Sequence, residues 1–186
     1  MPPYVVVLEG PDGAGKSHHA DALAAALRRE QHRALAFHHH GRGDGDHYGA
    51  ALDYAMQRHR LLLEKQNEHG LFLIADRWTE STLSVGLAVG GTEKLAMEYL
   101  YVAEEAKLPV PFERFFLDAP DTVLDARLST RSQAGEVSPF DLAKRAAARQ
   151  VFRGVPCMRV DTTLELREVT QVLLQRVLHL WRQERQ

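Results

Sequence analysis

The sequence predicts an α/β protein, a parallel sheet covered on both faces by crossover helices. Three observations predict it. Short apolar runs alternate with amphipathic stretches along the 186 residues. The runs are nearly unbroken in Val, Leu, Ile, Ala and Phe, as in strands buried on both faces. A glycine-rich segment joins the first run to the first amphipathic stretch. A composition of 45% hydrophobic and 26% charged residues is that of an ordinary globular chain, and one domain spanning 1–186 is expected.

The first strand runs from Tyr4 to Leu8 and meets Gly10-Pro11-Asp12-Gly13-Ala14-Gly15-Lys16-Ser17. A helix opens at Lys16, with Ala20, Leu23, Ala24 and Leu27 on its apolar stripe and His18 and His19 expected partly exposed. The second strand, Ala34 to Phe37, is followed by a polar, Gly-rich loop from His38 to Asp46, and then by a helix whose stripe is Leu52, Ala55, Met56, His59 and Leu63. The third strand, Leu71 to Ala75, closes at Asp76, and the fourth, Arg114 to Leu117, at Asp118. Ala119-Pro120-Asp121 is a helix-start signature, which makes Asp118 a structural or capping residue. A small-residue stretch, 132–139, separates two helices. The fifth strand, Cys157 to Val160, precedes a helix striped by Val169, Val172, Leu173, Val177, Leu180 and Trp181.

Several function classes drop out. A net charge of −2 argues against a general nucleic-acid surface, which needs excess positive charge. With Cys157 alone, no intrachain disulfide or cysteine-rich zinc site can form. The start Met1-Pro2-Pro3-Tyr4 has no basic residue and the first apolar run stops at Glu9, so a cytoplasmic protein without signal peptide or membrane span is expected. The chain's single asparagine, Asn67, is followed by Glu68, so the Asn-Lys pair with which GTP-binding switches read guanine is absent.

Residues 10–17 match G-x-x-x-x-G-K-[ST] at every fixed position, between a strand and a helix, as the chemistry requires. The glycines Gly10, Gly13 and Gly15, with Asp12 and Ala14 between them, let backbone N–H groups converge on phosphates. The helix N-terminus favours negative charge, Lys16 reaches the β and γ oxygens, and the Ser17 hydroxyl can ligate Mg²⁺. Asp76, closing an apolar strand, would hold the same metal or orient the attacking oxygen if its strand neighbours the first, and Arg77 beside it would bind an acceptor phosphate. The loop histidines suggest a metal only weakly. In a strand at most His38 and His40 share a side; a loop with one acceptor-contacting histidine is preferred to a metal, and a merely solvated loop is preferred to both.

With Glu9 before it, this motif resembles the E-G-x-D-G-x-G-K-[ST] segment of thymidylate kinases, and Asp76-Arg77-Trp78 resembles their D-R-[YFHW] signature. Leu117-Asp118-Ala119-Pro120, Arg127 through Arg131 and Val160-Asp161-Thr162-Thr163 are similar to later segments of that family. The resemblance implies a P-loop NTPase three-layer sandwich with a five-stranded parallel sheet, a short lid at about 131–140, an acceptor-binding region at about 38–60, and a homodimer. It further implies Mg²⁺ with ATP as donor, and a nucleoside monophosphate, dTMP-like, as acceptor. By the same resemblance Asp12 approaches the acceptor sugar, Arg127 and Thr162 lie by the donor nucleotide, and a lid arginine neutralises charge, with Arg131 ahead of Arg145, Arg149 and Arg153. The family's R-E-P-G-G-T after the second strand is replaced here by His38 to Gly45, and its thymine-clasping residues have no clear match. His38, Arg42, Tyr54, Arg58 and Trp78 are the expected replacements for stacking and phosphate contact. Two rivals remain: a kinase phosphorylating a hydroxyl, as deoxynucleoside kinases do, and an ATP-binding regulatory protein without turnover.

Overall fold

The computed structural model describes residues 3–39, 46–130 and 137–186. Among them five strands, β1 (Tyr4–Glu9), β2 (Arg33–His38), β3 (Leu71–Asp76), β4 (Glu113–Asp118) and β5 (Met158–Asp161), form one all-parallel sheet in the order β2-β3-β1-β4-β5. Every predicted run is a strand, extended by one residue at one or both ends or, for β5, shifted by one. The helices are α1 (Lys16–Arg29), α2 (His47–Lys65), α3 (Thr79–Val89), α4 (Gly91–Glu105), α5 (Asp121–Ser129), α6 (Pro139–Val151) and α7 (Leu166–Gln183).

Alternation along the strands sorts the core into two sides. Tyr4, Val6 and Leu8 of β1 join Phe72, Ile74, Phe115 and Leu117 under α1 and α7, where Leu23, Leu27, Leu173 and Val177 are buried. Val5 and Val7 join Leu73, Ala75 and Trp78 on the other side, with Leu61 and Leu62 of α2 against them, while Phe116 packs on Ala148 and Phe152 at the end of α6. Helices therefore cover both faces, consistent with a three-layer sandwich.

Two expected faces turn out differently. On α2 the buried positions are Ala51, Ala55 and Arg58, with Leu61 and Leu62 partly buried against the core, whereas Met56 and Leu63 of the expected stripe are 69% and 66% exposed. His19 is buried rather than partly exposed, and burial, with the neighbouring His18, lowers its pKa to about 4.

The strand order fixes where a ligand can lie. From β1 the chain crosses past β3 to β2, and from β3 it crosses past β1 to β4, so the connections leave β1 and β3 in opposite directions. The carboxyl ends of these two neighbours therefore open a crevice between them, the usual ligand position in such sheets.

Candidate functional site

Residues 10–15 make the turn from β1 into α1. Gly10 has φ +141°, and a Cβ there would sit 2.0 Å from the Leu117 carbonyl oxygen, so β4 runs directly behind the turn and only glycine fits. Gly15, at φ +80°, is the residue before the first turn of α1. Lys16 is buried and folds its ammonium back over the turn, donating to the carbonyls of Gly10 and Pro11, both at 2.9 Å. Ser17 points the other way, donating through Oγ to Oδ2 of Asp76.

Asp76 closes β3, and Arg77 follows at φ +83°, an unusual conformation for a side chain this large. Several bonds hold it there. The Arg77 amide donates to the Leu8 carbonyl at 3.0 Å. The buried Glu9 carboxylate at the end of β1 accepts from the Trp78 amide (2.6 Å), the Ser81 amide (3.2 Å) and the Ser81 hydroxyl (2.6 Å). Glu9 thus supplies across the sheet the N-terminal cap that α3 lacks from its own Trp78. With the backbone so turned, the Arg77 guanidinium reaches Asp12 in the glycine-rich turn.

Charge is concentrated at this junction. Asp12 pairs with Arg77, lies 3.6 Å from Lys16 Nζ and receives the ammonium of Lys144 from α6. Burial would raise its pKa, but the three cations outweigh that and hold it well below the usual carboxylate range. Burial and the nearby Arg77 bring Lys16 down to about 8. Burial works against the Arg77 charge too, and Asp12, Asp76 and Glu9 more than offset it, keeping Arg77 charged. Glu9 is raised to about 7 by burial first and by Glu80 second.

These groups line a cleft of about 650 Å³ at the carboxyl edge of the sheet. Its far side carries His39 and Tyr54, with rings 5.1 Å apart, and Lys144. His39 Nδ1 donates to the Asp76 carbonyl at 2.7 Å, while Nε2 lies 3.4 Å from Arg58 Nη1. Burial, aided by Arg58, lowers the His39 pKa to about 3, so the ring is neutral. His47 at the start of α2 stacks on Phe140 at the start of α6, 4.3 Å between centroids. A second cavity of about 660 Å³ lies at the opposite edge of the sheet, lined by Tyr4, Val110, Phe112 and Leu180, with none of this cluster near it.

Gly10, Asp12, Gly13, Ala14, Gly15, Lys16, Ser17, Asp76 and Arg77 are therefore gathered at one junction, and Tyr54 faces it. Other expected site residues stand elsewhere. Trp78 is 1% exposed among Val5, Val7, Leu73 and Ala75, so it is a core residue rather than a stacking platform, and Tyr54 holds the aromatic position. Arg58, also 1% exposed, is bonded to the buried Glu104 of α4 (Nε to Oε1, 3.2 Å) and to the Trp78 carbonyl, so its charge is already matched. His38 turns to Asp21 of α1 (3.0 Å) and to Asp76, and His39, on the opposite side of the chain, is the histidine lining the cleft. Arg127 donates to the carbonyls of Gly13 and Thr162, and Thr162 is buried with its amide on the Asp118 carbonyl, so these two tie β5 to the glycine-rich turn. Arg145 pairs with Asp121 and Asp125, and Arg149 with Asp118 and Asp121, which fastens α6 to α5. Arg42 and Arg131 lie outside the described residues. Lys144, His39 and Glu104 were not anticipated. Lys144 has no motif around it, and only the fold of α6 brings it to Asp12.

A hard divalent cation with oxygen ligands suits Ser17 and Asp76. The Asp76 Oδ1 atom is buried with no hydrogen-bond partner among the described residues, while its Oδ2 takes the Ser17 hydroxyl. Comparison of the chain with models of known protein families finds no match, and comparison with curated proteins finds none either.

Proposed function

We propose that this chain is an ATP-dependent P-loop kinase that moves the γ-phosphoryl group of ATP onto the phosphate of a nucleoside monophosphate, dTMP-like in its acceptor class. The observation that carries the reading is the junction at which Lys16, Ser17, Asp76 and Arg77 meet. A strand-turn-helix with lysine and hydroxyl at its end stands beside the one strand whose terminal carboxylate bonds that hydroxyl. In the reaction the bond between the γ phosphorus and the β–γ bridging oxygen breaks, and a bond forms from phosphorus to an oxygen of the acceptor phosphate. The products are ADP and a nucleoside diphosphate.

Each residue has a physical part in this. The turn amides and Lys16 bind the donor's β and γ oxygens, and the buried setting strengthens that attraction. Arg77, held by its unusual backbone and by Asp12, orients the acceptor phosphate. Tyr54 supplies an aromatic wall for the base, with the neutral His39 ring packed against it. Ser17 and Asp76 would hold Mg²⁺, which supplies charge neutralisation on the donor phosphates when bound.

Acceptor identity is tested by ADP release from Mg-ATP against a panel of nucleosides and nucleoside monophosphates. Strong stimulation by a monophosphate supports the reading. Stimulation by nucleosides alone makes the chain a hydroxyl kinase, and no stimulation with ATP bound makes it a nucleotide-binding regulator.

The reading includes a homodimer and a cytoplasmic location, the latter supported by the single cysteine. For the dimer, Leu95, Tyr99 and Val102 of α4 stand 64–78% exposed at helical spacing, and Met56 and Leu63 of α2, also exposed, line a groove with Leu100 and Ala103 of α4, apolar surface suited to a second copy. Sedimentation velocity of the wild type and Tyr99→Glu checks it. A dimer that Tyr99→Glu splits is expected, and a monomeric wild type contradicts it.

A further inference from the structure

Asp12 is one carboxylate facing three cations. Arg77 comes from the end of β3, Lys16 from the start of α1, and Lys144 crosses from α6 on the other side of the cleft to bond Asp12 Oδ2. Asp76 and Glu9 act on Arg77 and Lys16 as well, so those two cations have further carboxylates beside them, whereas Lys144 reaches the cleft from α6 and is bonded there to Asp12. Lys144 is also held at a defined height. Its neighbour Arg145 is locked to Asp125 at 2.6 Å, Arg149 one turn on grips Asp118 with both arms at 2.9 and 3.0 Å, and the Phe140 ring lies 5.8 Å from the Lys144 ammonium. The base of α6 is thus fixed, and the flexible stem of Lys144 alone spans the cleft, with Nζ free to exchange one oxygen for another.

We infer that Lys144 is a phosphate-binding residue: its ammonium, bonded to Asp12 in the structure, transfers to the oxygens of a phosphate dianion lodged in the cleft against Arg77, so that Asp12 and the phosphate compete for it. The inference rests on the kinase reading for the identity of that phosphate, the acceptor's, but not for the binding itself. Competition by Asp12 has a purpose in this account. It keeps Lys144 in position and screens the Arg77 and Lys16 charges, so a monovalent anion gains little by entering while a dianion gains more than it displaces.

Isothermal titration of inorganic phosphate into the full-length wild type, Lys144→Ala, Lys144→Gln, Lys144→Arg, Asp12→Asn and the Asp12→Asn/Lys144→Ala double variant separates binding from structure, with thermal melts recorded for each. The expected result is a loss of about tenfold or more in phosphate affinity for Lys144→Ala and Lys144→Gln, near-normal affinity for Lys144→Arg, and unchanged melts. Asp12→Asn is expected to tighten phosphate binding more when Lys144 is present than when it is Ala, which a purely structural ion pair does not produce. No phosphate binding by the wild type, affinity in Lys144→Ala within about twofold of the wild type, or an equal effect of Asp12→Asn in both backgrounds overturns the inference. ADP release with nucleoside monophosphates, assayed alongside, tests the kinase reading separately. Phosphate affinity lost in Lys144→Ala, in a chain that no monophosphate stimulates, upholds Lys144 and removes the kinase.

Discussion

The Ser17 hydroxyl, in the first turn of α1, donates to the Asp76 carboxylate at the end of β3, across 59 residues of sequence. Only the crossover from β1 past β3 makes this possible, because it seats the two strands side by side with Leu8 opposite Asp76. The same adjacency lets Leu8 and Glu9 accept from the amides of Arg77 and Trp78, so the conformation that aims Arg77 at Asp12 is built by the ends of β1. The glycine-rich turn and Arg77 are therefore one mechanical unit.

Arg58 and Glu104 form an ion pair with both side chains shut from water. Arg58→Met leaves Glu104 buried and unpaired and is expected to cost about 3–5 kcal/mol. Adding Glu104→Leu should restore much of the loss, since an apolar pair fits where a charged pair stood. Urea unfolding of the two variants checks both signs; an Arg58→Met protein as stable as the wild type contradicts the pairing.

His39 makes stability depend on pH. Its pKa falls from 6.5 when unfolded to about 3 when folded, so between those values the unfolded chain binds more protons and stability rises with pH. Glu9, raised from 4.5 to about 7, acts with the opposite sign between those values, because there the folded chain binds more protons. Comparing the wild type with His39→Gln cancels Glu9. The wild type's advantage in urea unfolding is expected to be full above about pH 6.5 and to shrink steadily toward pH 3, and a pH-independent difference would mean that His39 is not buried neutral.

Lys16 predicts a second pH dependence, in binding. With a pKa brought down to about 8, its ammonium is partly lost above that pH, and affinity for Mg-ATP is expected to decline there. Binding near pH 8 should take up a proton, visible as a heat that changes with the ionisation enthalpy of the buffer. Lys16→Arg, which stays charged, should abolish the proton uptake, and uptake unchanged in that variant contradicts the assignment.

The frame was legible because its signals are local. A run such as Val5-Val6-Val7-Leu8 declares a strand buried on both sides, and Gly-x-x-x-x-Gly-Lys-Ser declares a turn that only glycines can make. The far side of the cleft was less legible because burial there is decided by partners distant in sequence. Trp78 and Arg58 look like ligand contacts until Val5, Leu73 and Glu104 close over them, and Lys144 looks like any helix-surface lysine until α6 packs against α3. Strand alternation limited the histidines that share a side but did not choose between the two sides, and His39 took the cleft where His38 was expected.

Transfer of label from ATP carrying radioactive γ-phosphate to a nucleoside monophosphate, followed in the wild type and in Lys16→Ala, tests the central claim most directly. The account predicts labelled nucleoside diphosphate from the wild type and a loss of at least about a hundredfold in Lys16→Ala with its thermal melt retained. Label that never reaches a monophosphate, or a Lys16→Ala protein that transfers it at the wild-type rate, would contradict it.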